Sequence, residues 1–274
     1  MKNTKKIDVS TLIVIVLAFS ITVIAIIASL IVDSKDDSKG EVTTTPELTF
    51  PPISDVPQRD DMKISYTEQT TDDTYEKDGI EYIFSSVMFP VIDGGYNDST
   101  EKINDAISAF VTERVTIKSF EKNNAEEAYK RAQDDAIGFI EFEFITRAES
   151  VYVKNGYISI MFRRVRTVGI SEPKEDITTL CFDLLTGNEV DISAFLNVTE
   201  NEARSFVLDV FTQHIRINPK LYYNDALETL PDIIDLRSFY LPENGLMLYF
   251  NPDIITPSVM GIRDFTVPYD KIGH

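Results

Sequence analysis

The longest apolar run of the chain covers residues 12–32, LIVIVLAFSITVIAIIASLIV, and contains no charged residue. In a helix that rises about 1.5 Å per residue, such a run spans the ~30 Å hydrocarbon core of a bilayer. A cleaved signal peptide would have a shorter apolar core and a small-x-small cleavage site, and neither is present. The pattern therefore predicts a permanent transmembrane helix.

The charges on either side of this run predict its orientation. Lys2, Lys5 and Lys6 precede it, whereas three aspartates lie among the first residues after it. Because lysine-rich flanks stay in the cytoplasm, residues 1–11 are expected to form a cytoplasmic tail. The rest of the chain is expected outside the cytoplasm, as in a single-pass protein of the cell membrane.

Residues 33–61 differ in composition from the chain on either side. They are rich in Asp, Ser, Lys, Thr and Pro, and their few large apolar residues follow no periodic pattern. Such a segment cannot bury enough apolar surface to fold. We expect a disordered or extended stalk that connects the membrane helix to a folded region over residues 62–274.

Helical and strand periodicities both occur in the folded region. Asp98 with Glu101, and Thr199 with Glu202, have the spacing of helix capping boxes, and Asn155-Gly156 between two alternating runs indicates a β-hairpin. The predicted helices cover residues 98–115, 125–137, 199–217 and 225–230. The predicted strands cover residues 63–66, 80–89, 140–144, 151–153, 157–162, 178–185, 239–241, 246–250 and 262–267.

The order of these elements predicts the fold class. Strands follow one another through hairpins and single helices, without the regular alternation of strand and helix that builds a parallel sheet. We therefore expect an α+β domain with antiparallel sheets and packed helices. The pattern also allows a division into two sub-lobes, residues 62–168 and 169–274.

The composition excludes several classes of protein. Cys181 is the only cysteine, so neither an intramolecular disulfide nor a multi-cysteine metal site can form, and its apolar neighbours indicate a buried side chain. The formal net charge of −19 repels nucleic acid and anionic lipid headgroups. It favours a cationic partner, although it also fits an exported domain that only needs to stay soluble.

Three segments resemble the RsiV-like ectodomain family. In residues 239–272 a strand, a turn, a strand, Asn-Pro, a helical bend and a final strand ending in Pro-Tyr follow in the family's order. Residues 155–160, NGYISI, resemble its Asn-Gly-hydrophobic-Ser strand, and residues 181–187, CFDLLTG, resemble its Phe-Asp-x-x-Thr-Gly hairpin. The resemblance extends over about residues 66–272.

The family includes membrane-anchored anti-sigma factors whose ectodomain senses lysozyme, modules attached to peptidoglycan deacetylases of the PdaC type, and stand-alone proteins of Gram-positive bacteria. The resemblance thus implies an extracytoplasmic module of a bacterial cell envelope. Two differences from the family limit what the resemblance implies for this chain. Only a short tail, residues 1–11, precedes the membrane run where the anti-sigma factors carry a sigma-binding segment, so we expect no anti-sigma activity. Residues 167–171, TVGIS, replace a Gly-Gly-Ala-His stretch that many members carry.

No catalytic motif is recognised. His214, on a predicted amphipathic helix, and His274 cannot supply the histidine and carboxylate ligands of a metal-dependent deacetylase, so we expect neither a metal nor a cofactor. Glu141 and Glu143 are paired carboxylates of the type that hydrolyses glycosides. Their alternation with phenylalanine favours the solvated face of a strand instead.

Arg163, Arg164 and Arg166 form a basic cluster in an otherwise acidic domain. One interpretation is a contact with an anion or a glycan. The other is internal ion pairing with nearby acidic residues. These acidic residues are Glu172, Glu175 and Asp176.

The sequence favours a non-enzymatic, tethered binding or sensing module of the cell envelope. Its ligand would be a basic protein such as a lysozyme, or peptidoglycan. A cell-wall-modifying enzyme, or an accessory to one, is the first alternative. The second is a structural partner in a membrane complex that packs through residues 12–32.

Overall fold

The computed structural model describes residues 63–272. In this part of the chain no helix is long and apolar enough to cross a membrane. The predicted tail (1–11), transmembrane helix (12–32) and stalk (33–61) lie outside the described residues and stay predictions, as do the division into sub-lobes and the orientation across the bilayer.

The described residues form an α+β fold with two sheets. Strands β1 to β5 make a five-stranded sheet in sequential order, and β6, β7 and β8 make a three-stranded one. The strands are β1 (Ile64–Lys77), β2 (Ile80–Gly94), β3 (Phe142–Lys154), β4 (Tyr157–Thr167), β5 (Lys174–Asp183), β6 (Phe239–Tyr240), β7 (Leu246–Phe250) and β8 (Arg263–Val267). The α-helices are α1 (Asn97–Val115), α2 (Ser119–Asp134), α3 (Ile192–Leu196), α4 (Glu200–Ile217) and α5 (Ala226–Ile233), and 3-10 turns cover Pro219–Leu221, Ser258–Met260 and Tyr269–Lys271.

The α+β class is confirmed, but the expectation of purely antiparallel sheets is wrong at one pair. Strands β2 and β3 run parallel from Ile83 opposite Phe142 to Met88 opposite Arg147, whereas the other strand pairs are antiparallel. A parallel pair needs a crossover connection. Helices α1 and α2 provide it, because they return the chain to the end of the sheet at which β2 started.

The first hairpin is longer than the sequence pattern indicates. Strands β1 and β2 pair along their whole length and turn at Asp78-Gly79, where both residues have positive φ angles of 54° and 77°. Pro90 directly follows the predicted strand 80–89, but in the structure it lies inside β2. Pairing with β3 ends at Met88, so beyond that residue β2 has only one ladder partner and tolerates a residue without an N–H.

Two of the four predicted helix starts differ from the structure. Helix α1 begins after Tyr96 without a side-chain cap, so the Asp98–Glu101 capping box is wrong. Helix α2 begins at Ser119, before the predicted start at residue 125. The Thr199–Glu202 box at the start of α4 is confirmed, because the Thr199 N–H donates to the Glu202 carboxylate at 2.8 Å.

Helices cover each sheet with a separate apolar core. Helix α1 packs Ile103, Ile107 and Val111 against the five-stranded sheet. Helix α4 packs against the three-stranded sheet, and Cys181 is buried in that second core. The Asn155-Gly156 hairpin is confirmed between β3 and β4.

Candidate functional site

An open groove of about 610 Å³ lies beside the N-terminal half of β5. One wall is formed by β5 and the loop before it, and the other by the segment 251–262, which connects β7 to β8. The side chains that line it are mostly polar or charged. They include Arg114, Arg166, Glu172, Lys174, Asp176, Thr178, Asn251, Asp253 and Val259.

The segment 251–262, which we call the groove loop, has a defined shape. Asn251 attaches its start to β5 by two hydrogen bonds with the backbone of Ile177, at 2.7 and 2.9 Å. Asp253 has a positive φ of 67°, and its N–H donates to the Thr256 carbonyl at 3.0 Å. A carboxylate oxygen of Asp253 also accepts from the Ser258 hydroxyl. These bonds fix the groove loop opposite β5.

Two apolar side chains near the groove are strongly exposed. Val259, in the groove loop, exposes 89% of its surface, and Ile170, in the loop between β4 and β5, exposes 85%. That β4–β5 loop continues into Glu172 and Pro173, which line the groove. Single exposed apolar side chains are common on protein surfaces, but these two lie in the loops that form the groove and are therefore available to a molecule that binds there.

The structure separates Arg163 from the other two arginines of the basic cluster. Side chains alternate between the faces of a strand, and Arg163 lies on the face opposite Arg164 and Arg166. It forms ion pairs with Glu149 at 2.8 Å and with Glu175 at 3.0 Å. Internal pairing is therefore observed for Arg163, as the second interpretation of the cluster expected.

Arg166 lines the groove, whereas Arg164, on the same face of β4, does not. Arg166 pairs with Asp176 at 3.3 Å, so internal pairing is observed here as well. Arg164 is half-buried, and its guanidinium group lies 5.4 Å from the ring centre of Phe144. Burial is the main cause that lowers the pKa of Arg164, followed by the positive charge of Arg166. No ion pair with Glu172 is found among the described residues.

Arg114, which the sequence did not single out, joins these two arginines from helix α1. Its guanidinium group lies 5.1 Å from the ring centre of Phe110, and one terminal nitrogen donates to the Thr178 hydroxyl at 3.1 Å. The sequence could have predicted this position, because Arg114 lies four residues after Phe110, which belongs to the apolar face of α1. This spacing places Arg114 on the side of the helix that meets the sheet.

The residues considered for catalysis lie elsewhere. The His214 ring packs 4.2 Å from the centre of the Phe265 ring, and burial lowers its pKa, which favours the neutral form. Burial raises the pKa of the Cys181 thiol, which therefore stays protonated. Among residues 63–272, no group of three or more His, Cys, Asp or Glu side chains is arranged to hold a metal ion.

The paired carboxylates Glu141 and Glu143 do not line the groove either. Glu143 is exposed and Glu141 is partly buried. Burial raises the pKa of Glu141, and the charges of Glu81 and Glu143 raise it further. Glu143 lies in β3 and Glu141 directly precedes it, and neither lines the groove.

The C-terminal part of the chain matches a described family model. Residues 198–270 match the model described as Protein of unknown function (DUF3298). The matched residues include the groove loop, whereas Arg114, Arg164 and Arg166 precede them. No curated protein sequence matches the chain.

Two solved structures of DUF3298 family proteins are similar to this chain. One, from Bacteroides fragilis NCTC 9343, has a TM-score of 0.54 and 15% sequence identity, over 80% of this chain and 94% of that chain. The other, from Pseudomonas aeruginosa PAO1, has a TM-score of 0.46 and 10% identity, over 78% of this chain and 94% of that chain. The first similarity supports a shared fold and says nothing further about function.

Proposed function

We propose that the protein is a membrane-anchored binding or sensing module of the bacterial cell envelope, which engages a protein or cell-wall ligand through the groove. The observation that carries this proposal is the groove itself. It is open, it has charged residues of both signs, and the strongly exposed Ile170 and Val259 lie in the loops that form its two walls. The position outside the membrane rests on the predicted helix over residues 12–32 and on the lysines before it.

A binding role fits the chemistry of the groove better than catalysis does. A glycosidase needs two carboxylates on opposite sides of a bound sugar, one of them protonated near neutral pH. Three of the four acidic residues that line the groove are engaged differently, since Asp176 pairs with Arg166, Glu175 pairs with Arg163, and Asp253 accepts a hydrogen bond from Ser258. The fourth, Glu172, is exposed, and one carboxylate alone does not make such a pair. The alternative, a cell-wall-modifying enzyme, would have to use other residues.

The resemblance to RsiV-like ectodomains favours the same role. The resemblance suggests two partners, a basic protein such as a lysozyme, and peptidoglycan. The formal net charge of −19 would speed the approach of a basic protein at low ionic strength. The groove, which holds cations as well, would allow contact with the carboxylates of peptidoglycan stems.

Calorimetric titration of the full-length chain, purified in a mild detergent, tests this function. The ligands are a basic lysozyme and soluble muropeptides, and chromatography of the titrated muropeptides detects any product. We expect saturable binding to one of them without turnover. Release of a new muropeptide product would support the enzyme instead, and absence of binding to both would refute the proposed role.

Two matched variants locate the binding surface. Val259→Asp places a charge on the exposed apolar side chain of the groove loop and should weaken binding by about tenfold. Leu185→Asp serves as the control, because Leu185 is 56% exposed but follows the opposite end of β5. Equal weakening by both variants would mean that the ligand does not use the groove.

Protease treatment of intact cells tests the location. The C-terminal part of the chain should be digested when protease is added outside. Protection in intact cells, with digestion only after permeabilisation, would refute an extracytoplasmic position.

A further inference from the structure

We propose that Arg114, Arg164 and Arg166 form an anion-binding site at the groove, which holds a carboxylate or phosphate group of the ligand. This inference rests on the proposed binding function and specifies the chemistry of the ligand. Arg114 and Arg166 line the groove and would contact the anion directly. Arg164, two positions from Arg166 on the same face of β4, adds a third positive charge.

The fold brings these three residues together from two elements. Arg164 and Arg166 are two positions apart in β4 and therefore point to the same face of the sheet. Helix α1 covers that face, as shown by the rings of Phe110 and Phe162, whose centres are 4.6 Å apart. Arg114 lies one helical turn beyond Phe110 and so reaches the same region.

The surrounding residues neutralise this cluster only in part. Asp176 pairs with Arg166, and Arg114 bonds to the uncharged hydroxyl of Thr178. Arg164 forms no ion pair with any residue that the structure describes. Glu121 is near enough to Arg164 to affect its pKa, but its carboxylate accepts the Lys118 N–H at 2.7 Å at the start of α2.

The other charged groups of the groove lie in different places. Lys174 lies opposite Arg166 in the β4–β5 ladder and adds another cation on the same face. Glu172 is exposed, Glu175 is held by Arg163 on the opposite face of the sheet, and Asp253 is hydrogen-bonded to Ser258 in the groove loop. On the face of β4 and β5 that meets α1, cations therefore outnumber the one acid, Asp176, although the groove as a whole is lined by residues of both signs.

The guanidinium groups also have unused hydrogen-bonding capacity. The Nε atoms of Arg114, Arg164 and Arg166 are all buried and have no hydrogen-bond partner among the described residues. Buried donors without partners are costly, and a charged one more so. Among the described residues only Arg166 of the three has an ion-pair partner, Asp176, so the cluster has hydrogen-bonding capacity for a further anion.

Ring contacts hold two of the guanidinium groups in fixed positions. Arg114 lies over Phe110 at 5.1 Å, and Arg164 lies over Phe144 at 5.4 Å. A guanidinium group that stacks on a ring keeps its in-plane N–H groups available. Planar N–H pairs match the two oxygens of a carboxylate or a phosphate, so the site selects an oxyanion rather than a halide.

Titration of the full-length chain with sodium phosphate and sodium acetate, in chloride buffer of constant ionic strength, tests the site. Muramyl dipeptide, which carries carboxylates, is the third probe. We expect saturable binding of an oxyanion, with Arg114→Gln and Arg166→Gln each weaker by about tenfold. Tighter phosphate binding would identify a phosphorylated ligand, and tighter binding of muramyl dipeptide would identify a stem peptide; both support the site.

Arg163→Gln is the matched control, because it removes an arginine from the same strand but from the opposite face. It should bind the probes as the wild type does. Equal loss in Arg163→Gln and Arg166→Gln, or no oxyanion binding by the wild type, would overturn the site. Thermal unfolding of each variant identifies misfolding, and Arg166→Lys, which keeps the charge but not the planar pair, should recover only part of the affinity.

The same variants separate this inference from the proposed function. If an envelope ligand binds the wild type, Arg114→Gln and Arg166→Gln equally, the anion site is wrong and the binding role stands. If the oxyanions bind but neither lysozyme nor muropeptides do, the anion site stands and the proposed envelope ligands are wrong.

Discussion

The side chain of Asn251 hydrogen-bonds to the backbone of Ile177 as a neighbouring strand would. Its Oδ1 accepts from the Ile177 N–H at 2.7 Å, and its Nδ2 donates to the Ile177 carbonyl at 2.9 Å. Strand β5 pairs with β4 on one side only, so these backbone groups would otherwise lack a partner within the sheet. This one side chain therefore joins the two walls of the groove.

Asn251→Ala should lower the free energy of unfolding by about 2 kcal/mol, because it removes two hydrogen bonds and leaves two partly buried backbone groups unpaired. Urea denaturation of the full-length chain measures the loss. Asn201→Ala is the control, since Asn201 is exposed on α4, and its effect should stay within about 0.5 kcal/mol. Similar losses for both variants would contradict the role of Asn251.

Gly187 is required by a close contact between the turn after β5 and helix α1. A Cβ atom at this position would lie 2.5 Å from the Ser99 carbonyl oxygen and 2.7 Å from the Ser99 Cα, and its φ is 71°. Both the contact and the left-handed backbone therefore exclude a side chain. The Thr-Gly of the turn thus has a packing role in addition to its turn geometry.

Gly187→Ala should destabilise the fold by about 3 kcal/mol, from strain in the left-handed conformation and from overpacking. Gly79→Ala separates the two causes, because Gly79 has a similar φ of 77° but no atom within 4 Å of the added Cβ. We expect about 1 kcal/mol for this variant. If chemical denaturation gave the same loss of unfolding free energy for Gly187→Ala and Gly79→Ala, the contact with Ser99 would not contribute to the destabilisation.

Features that depend on neighbouring residues along the chain were predicted well. Helix α4 and its Thr199–Glu202 box, and the Asn155-Gly156 hairpin, follow from local hydrogen bonds and local periodicity. The start of α1 was not predicted correctly, because its first turn contacts residues that are far away along the chain. The helix starts without a side-chain cap, and the Ser99 hydroxyl in its first turn donates to the Leu184 carbonyl at 2.9 Å, which is a contact with a remote segment.

The same difference between local and long-range contacts applies to the candidate site. The alternation of β4 already places Arg163 on a different face from Arg164 and Arg166, so this separation was available in the sequence. Their association with Arg114 was not, because it depends on how α1 crosses the sheet. The parallel pairing of β2 with β3 was missed for the same reason, since it is set by the path of two helices.

Cys181 should be unreactive in the folded protein. It is buried, and burial together with the charges of Glu189 and Asp183 raises the pKa of its thiol, which leaves little thiolate to attack a reagent. We expect no release of thionitrobenzoate from Ellman's reagent at mildly alkaline pH, and release of one equivalent per chain in concentrated guanidinium chloride. Rapid reaction of the folded chain would mean that the core around β5 opens readily.

Glu141 is expected to reduce stability at neutral pH. Burial and the nearby carboxylates of Glu81 and Glu143 raise its pKa in the folded chain. A carboxyl group with a raised folded pKa binds its proton more tightly when folded, so its stabilising contribution exists at acidic pH and is lost as the pH rises through the folded pKa. Glu141→Gln, which carries no charge, should therefore unfold roughly 2 °C higher than the wild type at neutral pH.

The difference should shrink as the pH falls toward about 3, which is below the ordinary Glu pKa of about 4.3, so that Glu141 is protonated in both states. Thermal scans at several pH values, followed by circular dichroism, measure it. Glu68→Gln is the control for net charge, because it removes one carboxylate from the exposed edge strand β1 of the same acidic domain. An equal gain from Glu68→Gln would assign the effect to overall charge repulsion, and a constant difference at every pH would exclude the titration of Glu141 as its cause.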